Sequence, residues 1–232
     1  MKVTINSIQS NSIDKFYYRR HLPHYQPSGA TFFVTFRLAG SLPAVVVEKM
    51  RIDRQLIKRR IENISNRKNR SDEWYEFNNE YFSRFDGLLD RNEKSPLWLQ
   101  DPQVANIVKE SIHYRDKKEY DLIAYCIMPN HIHMVFSVGR AGCPSYKADV
   151  GRADCSPYRV TKIIKNLKWY TALESNKVLN RSGPFWQHES YDHVVRDNSD
   201  LERIVDYVIM NPVYAGLVDS CEKWAWTYLK EM

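Results

Sequence analysis

Hydrophobic and polar positions change period several times along the chain, and each change marks an element. Gly29–Gly40, GATFFVTFRLAG, is dense in β-branched and aromatic residues between glycines and predicts a strand. From Pro43 to about Ile64 the pattern is helical and carries the basic cluster Arg51, Arg54, Lys58, Arg59 and Arg60. The polar stretch NISNRKNRSD predicts a break, and DEWYEFNNEYFSRFDGLLD a second helix. In DPQVANIVKESIHYRDKK, Asp101 is a natural N-cap and Pro102 suits the first helical position of a third. YDLIAYCIM and HIHMVFSV predict two central strands joined as a hairpin through Pro129 and Asn130. A long amphipathic helix is expected from about Pro157 through RVTKIIKNLKWYTALESNKVL, then a turn and extended segment in RSGPFWQHESYDHVVRD. NSDLERIVDYVIMNP predicts a last helix, with Ser199 and Glu202 as a capping box and Pro212 at its end. The order strand, helices, strand, strand, helix, helix predicts an α+β domain, an antiparallel sheet with helices packed on it.

Composition narrows the class. The chain has 232 residues, 43% of them hydrophobic, which suits one domain with elaborations. No apolar run is long enough to span a bilayer, and MKVTINSIQSNSID lacks the apolar region of a secretory signal, so a cytoplasmic protein is expected. Cys126, Cys143, Cys155 and Cys221 form no CxxC pair, which argues against a thiolate zinc site and for free thiols. The net charge of +6 permits a polyanionic partner, and 13% aromatic residues supplies possible stacking surfaces for unpaired bases.

The candidate chemistry starts at MPNHIHMVF. On a strand, His131 and His133 project to one face while Ile132 faces the other. Two imidazoles at that spacing can share a divalent metal, although HxH alone is a weak signal. A third ligand must come from elsewhere: His113, His188, His193, a carboxylate or an Asn side chain. In DYVIMNP, Tyr207 and Asn211 stack at i and i+4 on one helix face. A metal-bound Asn beside a Tyr hydroxyl would make a nucleophile site for a phosphodiester. On the residues alone, the favoured reading is Tyr207 as a core aromatic and Asn211 as a helix end before Pro212.

Four segments, LPHYQPSGATFFVTFRLAGSLP, YCIMPNHIHMVF, SGPFWQHESYDHVVRD and DYVIMNPVYAGLV, occur in that order between about His21 and Trp226. Together they resemble the REP-associated tyrosine transposases, within the HUH group of single-strand DNA endonucleases. The resemblance implies a ferredoxin-like antiparallel sheet carrying the two histidines, with a nucleophilic tyrosine on a facing helix. It implies a divalent ion, Mg²⁺ or Mn²⁺, and cleavage of single-stranded DNA beside palindromic hairpins through a 5′-phosphotyrosine intermediate. It further implies a monomer. Carried over, His131, His133 and Asn211 match the metal ligands and Tyr207 the nucleophile. Tyr170, with Glu174 at i+4, is the rival nucleophile, and Tyr191, with Val195 there, ranks below it. Arg19, Arg20, Arg37, Lys165, Lys168, Arg181 and Arg196 are candidate DNA contacts, and Trp186 and Tyr191 candidate stacking residues.

The chain is thus expected to be a single HUH-type domain over 1–232 with two departures. A helical insertion spans about 43–92, and its basic face could grip phosphates or simply be solvated. A tandem repeat with a period of 12, Val138–Asp149 then Val150–Val160, forms a duplicated loop over 138–160. Two further readings remain open: a domesticated hairpin-binding protein without transposition activity, and a metal-dependent nuclease that uses water in place of Tyr207.

Overall fold

The computed structural model describes residues 17–19, 23–25, 30–92, 94–138 and 159–231. A short hairpin, β1 (Tyr17–Arg19) and β2 (Pro23–Tyr25), stands apart from a five-stranded antiparallel sheet. That sheet contains β3 (Thr31–Leu38), β4 (Asp121–Ile127), β5 (His131–Ser137), β6 (Trp186–Val194) and β7 (Thr227–Leu229), in spatial order β6-β3-β5-β4-β7. The helices are α1 (Ala44–Glu62), α2 (Arg67–Asp90), α3 (Pro102–Arg115), α4 (Arg159–Val178) and α5 (Asn198–Tyr214). Without α1, α2, α5 and β7, the order β3-α3-β4-β5-α4-β6 is the ferredoxin-like βαββαβ arrangement. The α+β expectation holds, and α1 and α2 occupy the place of the expected helical insertion.

Both sheet faces are covered, so β3 reads as a nearly continuous apolar run and not as a strict alternation. Phe32, Val34, Phe36 and Leu38 point with Ile132, Met134 and Phe136 into the larger core, which includes residues of α3 and α4. Phe33 points with Ala124, Cys126 and Val135 into a second core, closed by Phe82 of α2 and by Ile204 and Val208 of α5. The sheet centre is therefore sandwiched, and its second face lies under α2 and α5.

Several boundaries differ from the sequence expectation. The polar NISNRKNRSD stretch breaks the chain only around 63–66, because the Asn66 side chain accepts from the backbone N–H groups of Lys68 and Asn69 and starts α2 at Arg67. Asp197 caps α5, accepting from the Asp200 N–H, so Ser199 lies inside the first turn. Pro212 sits within α5, which runs on to Tyr214; Gly216, with φ of 70°, follows. Asp101 caps α3 as expected. The segment after α4 pairs with β3 as a nine-residue edge strand. The duplicated loop lies outside the described residues except at its ends, Val138, Arg159 and Val160.

Candidate metal centre

His131 and His133 stand at alternate positions of the central strand β5, so both imidazoles enter the second core, and both are fully buried. Their Nε2 atoms lie 2.9 Å apart. Each ring is oriented from behind. Asn130 donates through Nδ2 to the Leu89 carbonyl and to Ser95 Oγ, which turns its Oδ1 toward His131 Nδ1 at 2.6 Å. His131 Nδ1 therefore carries the proton, and its Nε2 lone pair faces the cluster. Thr35, opposite His133 on β3, bonds His133 Nδ1 at 2.8 Å. Phe33 stacks on the His133 ring, with centroids 5.7 Å apart.

The third member is Asp86, from the helix α2 that closes this face. Phe82, Asp86 and Leu89 are the residues that α2 buries, so a carboxylate sits on an otherwise apolar stripe. Asp86 Oδ1 lies 3.4 Å from His131 Nε2 and 3.3 Å from His133 Nε2. The other carboxylate oxygen, Oδ2, accepts from the Tyr207 hydroxyl and, at 3.1 Å, from Asn211 Nδ2. Asp86, His131 and His133 could together hold a metal ion.

Electrostatics follow from burial. Burial alone would raise the Asp86 carboxyl, but His133 beside it and the hydrogen bond from Tyr207 outweigh it and hold the group well below the usual carboxylate range. Burial lowers His131 to about 3, so it stands as a neutral imidazole at physiological pH. Burial first, and the Asp86 charge second, push the Tyr207 phenol far above its ordinary value. One turn from Asp86, Asp90 is raised to about 6 by burial and by the Asp86 charge.

Two buried oxygens test whether a cation fits. Among the described residues, Asp86 Oδ1 and Asn211 Oδ1 have no hydrogen-bond partner. Buried acceptors are rarely left so. Two imidazole nitrogens and a carboxylate oxygen form a donor set suited to a divalent cation, and the Asn211 amide sits on the same carboxylate. The residues present fit such an ion.

The structure brings Tyr207, Asn211, His131 and His133 to one place and adds Asp86, Asn130 and Thr35, which the sequence reading did not single out. The signal available for Asp86 was an acid on the buried stripe of its helix. Tyr170 lies elsewhere, on α4 across the sheet, 43% exposed and with Arg115 over its ring. Tyr191 is buried against Phe82.

The candidate DNA contacts scatter. Arg37 is buried on the same sheet face as the histidines. Trp186 is buried and donates to Thr171 Oγ1 at 2.9 Å, so its ring is packing and not a free platform. Lys168 is turned onto the carbonyls of Gln187, His188 and Glu189. Arg181 stacks on Trp98 and bonds Asn176 and the Pro184 carbonyl. Arg196 stacks on Tyr75 and donates to the Ser71 carbonyl. Lys165 lines the groove between α4 and β6. Arg19 lies on β1, where only the backbone is described, and Arg20 is outside the described residues.

Fold and site together define an α+β protein with a ferredoxin-like sheet and a buried Asp-His-His cluster facing a tyrosine. By sequence the chain is similar to proteins named as REP-associated tyrosine transposases. It is 28% identical over 109 residues to a Haemophilus influenzae protein named "Putative REP-associated tyrosine transposase", a match covering 47% of this chain and 58% of that protein. It is 23% identical over 134 residues to the REP-associated tyrosine transposase of Escherichia coli, covering 58% of this chain and 68% of that one. A solved structure of a REP-associated tyrosine transposase bound to a REP hairpin aligns with a TM-score of 0.45 and 18% identity, over 90% of this chain and 80% of that one. No protein-family model matches the chain. No helix among the described residues is long and apolar enough to cross a membrane.

Proposed function

We propose that the chain is a single-domain, metal-dependent single-strand DNA endonuclease and strand transferase, working as a monomer beside palindromic hairpins. The observation that carries this is the convergence on Asp86 of the histidine pair from β5 and the Tyr207–Asn211 pair from α5. The hairpin substrate is carried over from the motif resemblance, and the curated relatives' names supply the association with REP elements. The residue roles rest on that convergence and on the motif resemblance.

In this reading His131, His133, Asp86 and Asn211 hold a Mg²⁺ or Mn²⁺ ion. The ion would supply positive charge to the phosphodiester as its transition state develops. Tyr207 Oη attacks phosphorus, the P–O3′ bond breaks, and a 5′-phosphotyrosine and a free 3′-OH result. The phenol gives up its proton along its hydrogen bond to Asp86 Oδ2 as the bond to phosphorus forms, the proton is lost to solvent, and the departing 3′ oxygen takes one from solvent. Attack by a 3′-OH on the phosphotyrosine reverses the step and joins the strand to another end. The bond energy stays in the covalent link, so no nucleotide cofactor is needed. Asn130 sets the tautomer of His131, and Asn130 and Thr35 hold the two imidazoles in the orientation that points Nε2 inward. Phe33 and Phe82 keep water from the rings.

The test is covalent capture. End-labelled single-stranded hairpin DNA from repeats flanking the gene is incubated with the protein and Mn²⁺, then run on a denaturing gel. Wild type and Tyr170→Phe are expected to give a shifted adduct, and Tyr207→Phe none. Tight binding without an adduct would favour a hairpin-binding protein. Cleavage without an adduct would favour water as the nucleophile.

A further inference from the structure

Beside the histidines, toward the β6 edge, the sheet and the α1–α2 pair enclose a cavity of about 100 Å³. Its walls include Thr35, Arg37, Arg51, Tyr81, Phe85 and Ser190. Strand register sets Arg37 opposite His131 and Thr35 opposite His133. The cavity therefore begins one hydrogen bond from the metal-site candidates, through Thr35 Oγ1 and His133 Nδ1.

Arg37 is the member that packing does not explain. It is 5% exposed. Its Nη1 donates to Ser41 Oγ at 3.0 Å, and its guanidinium lies 5.8 Å from the Phe85 ring centroid. No carboxylate among the described residues stands within ion-pair distance of it. Burial lowers its pKa to about 10, which leaves it charged at neutral pH. A second buried guanidinium, Arg54, lies 5.0 Å from the Tyr81 ring centroid. Its Nη2 donates to Asn78 Oδ1 at 3.3 Å, while its Nε and Nη1 have no partner among the described residues. Buried charge without a counter-ion is costly, and buried donors are seldom left unused. Arg54 lies behind Tyr81, outside the cavity lining; Arg37, at the wall itself, is a buried cation whose one polar side-chain partner is a hydroxyl, and it calls for an anion from outside the chain.

The cavity is small, and a compact anionic group such as a phosphate fits its scale. Its wall offers the Arg37 guanidinium and the Tyr81 hydroxyl, donor types that bind phosphate oxygens, while the Arg51 fork in the same lining is held by Glu48. Glu189 is the one acid in the lining, against two arginines. Glu48, on α1, is already engaged by Arg51 at 2.6 Å.

We infer that this cavity is a phosphate subsite that holds a backbone phosphate of the single strand, next to the phosphodiester presented to Tyr207. The inference rests on the proposed function for the identity of the strand, but not on the covalent step. Arg37 is here a binding residue for the strand backbone, with Arg51 and Tyr81 beside it.

The test omits the metal. With EDTA present, a labelled unstructured oligonucleotide is titrated with the full chain across a salt series, and anisotropy is read. Arg37→Gln is expected to weaken binding about 10-fold and to reduce the salt slope by about 0.7, the share of one phosphate on a single strand. Lys109→Gln, which removes the same charge from α3, is expected to change neither. Melting temperatures supply the second readout. The oligonucleotide should raise that of wild type and raise that of Arg37→Met less. If Arg37 is a structural ion, Arg37→Met melts well below wild type without ligand; a ligand-binding Arg37 leaves melting unchanged or raised, since an unpaired buried cation is removed. Unchanged affinity and slope in Arg37→Gln overturn the inference. So does stabilisation of wild type by inorganic phosphate, at matched ionic strength, with none by the oligonucleotide. Binding that depends on Arg37 but yields no adduct with Mn²⁺ overturns the covalent reading and leaves the subsite standing. Absence of binding by wild type overturns both.

Discussion

At the scale of the residue, Asp86 is the most informative group in the molecule. Its carboxylate has two working edges: Oδ2 accepts from Tyr207 and Asn211, and Oδ1 faces two imidazoles with no hydrogen bond of its own. A carboxylate placed only to anchor Tyr207 would leave Oδ1 costly and idle. A carboxylate placed to share a cation with the histidines uses both oxygens. The two roles predict different orders of effect. Thr35→Val removes the bond that orients His133 and should weaken Mn²⁺ binding by roughly 10- to 100-fold, as outer partners of metal ligands do. Asp86→Asn should weaken it more, because a ligand charge is lost. Calorimetric titration of both variants checks this, and a smaller loss in Asp86→Asn than in Thr35→Val would remove Asp86 from the ligand set. The histidine pair was legible in the sequence because strand spacing fixes which side chains share a face. Asp86 was not, because its partners lie more than forty residues away in sequence and nothing local to α2 specifies which strand it will meet.

At the scale of the element, the question is what holds α2 against the sheet so that Asp86 reaches the cluster. Asp200, at the start of α5 and 4% exposed, is the tie. It accepts from Tyr75 of α2 at 2.7 Å, from His193 of β6 at 3.0 Å, from the Arg196 N–H at 3.1 Å and from Arg203 at 2.6 Å. Burial opposes the ionised form, but His193, Tyr75, the Arg196 N–H and Arg203 outweigh it and hold the carboxyl below its ordinary value. A depressed folded-state pKa stabilises the fold above the unfolded value of about 3.9 and loses that contribution as pH falls through the folded value. Asp200→Asn should therefore cost about 2 kcal/mol near pH 7, the scale of one hydrogen bond to a charged group, since the amide keeps some of the four. The difference from wild type should shrink as the solution is acidified below about pH 4. Denaturant unfolding at a series of pH values measures it; a gap that stays constant into strong acid would show that the charge is not the stabilising feature. Helix existence was readable from periodicity, as in α3 and α5, whereas boundaries were set by single caps. Asn66 pulled a polar stretch into α2, and Asp197 took the place of Ser199. The three-residue strand β7 was not readable, because what defines it is its pairing with β4 and not any pattern of its own.

At the scale of the whole molecule, the ferredoxin-like core accounts for the histidine strand, while the additions around it bring Asp86, Tyr207 and the cavity at Arg37. Pattern alone reached the α+β class, since alternating helix and strand periods restrict the possible layers. The order of strands needed either the motif resemblance or the observed pairing. The tandem repeat stands outside both, and it carries the last prediction. Val138 ends the central strand's run, buried and donating its N–H to the Ala30 carbonyl at 3.1 Å. Val150 begins the second copy with the same Val-Gly-Arg-Ala sequence. Deleting Val138–Asp149 therefore puts an identical residue after Ser137 and keeps its local sequence. It more than halves the connection to α4. Loop-closure entropy changes by only about 0.6 kcal/mol per factor of two in length, and shortening acts in the stabilising direction. The deletion variant should melt at or slightly above the wild-type temperature and still form the Tyr207 adduct. A variant that folds but forms no adduct would show that the deleted first copy has become part of the DNA-handling machinery. A variant that does not fold would show that the first copy is needed to span the distance from β5 to α4.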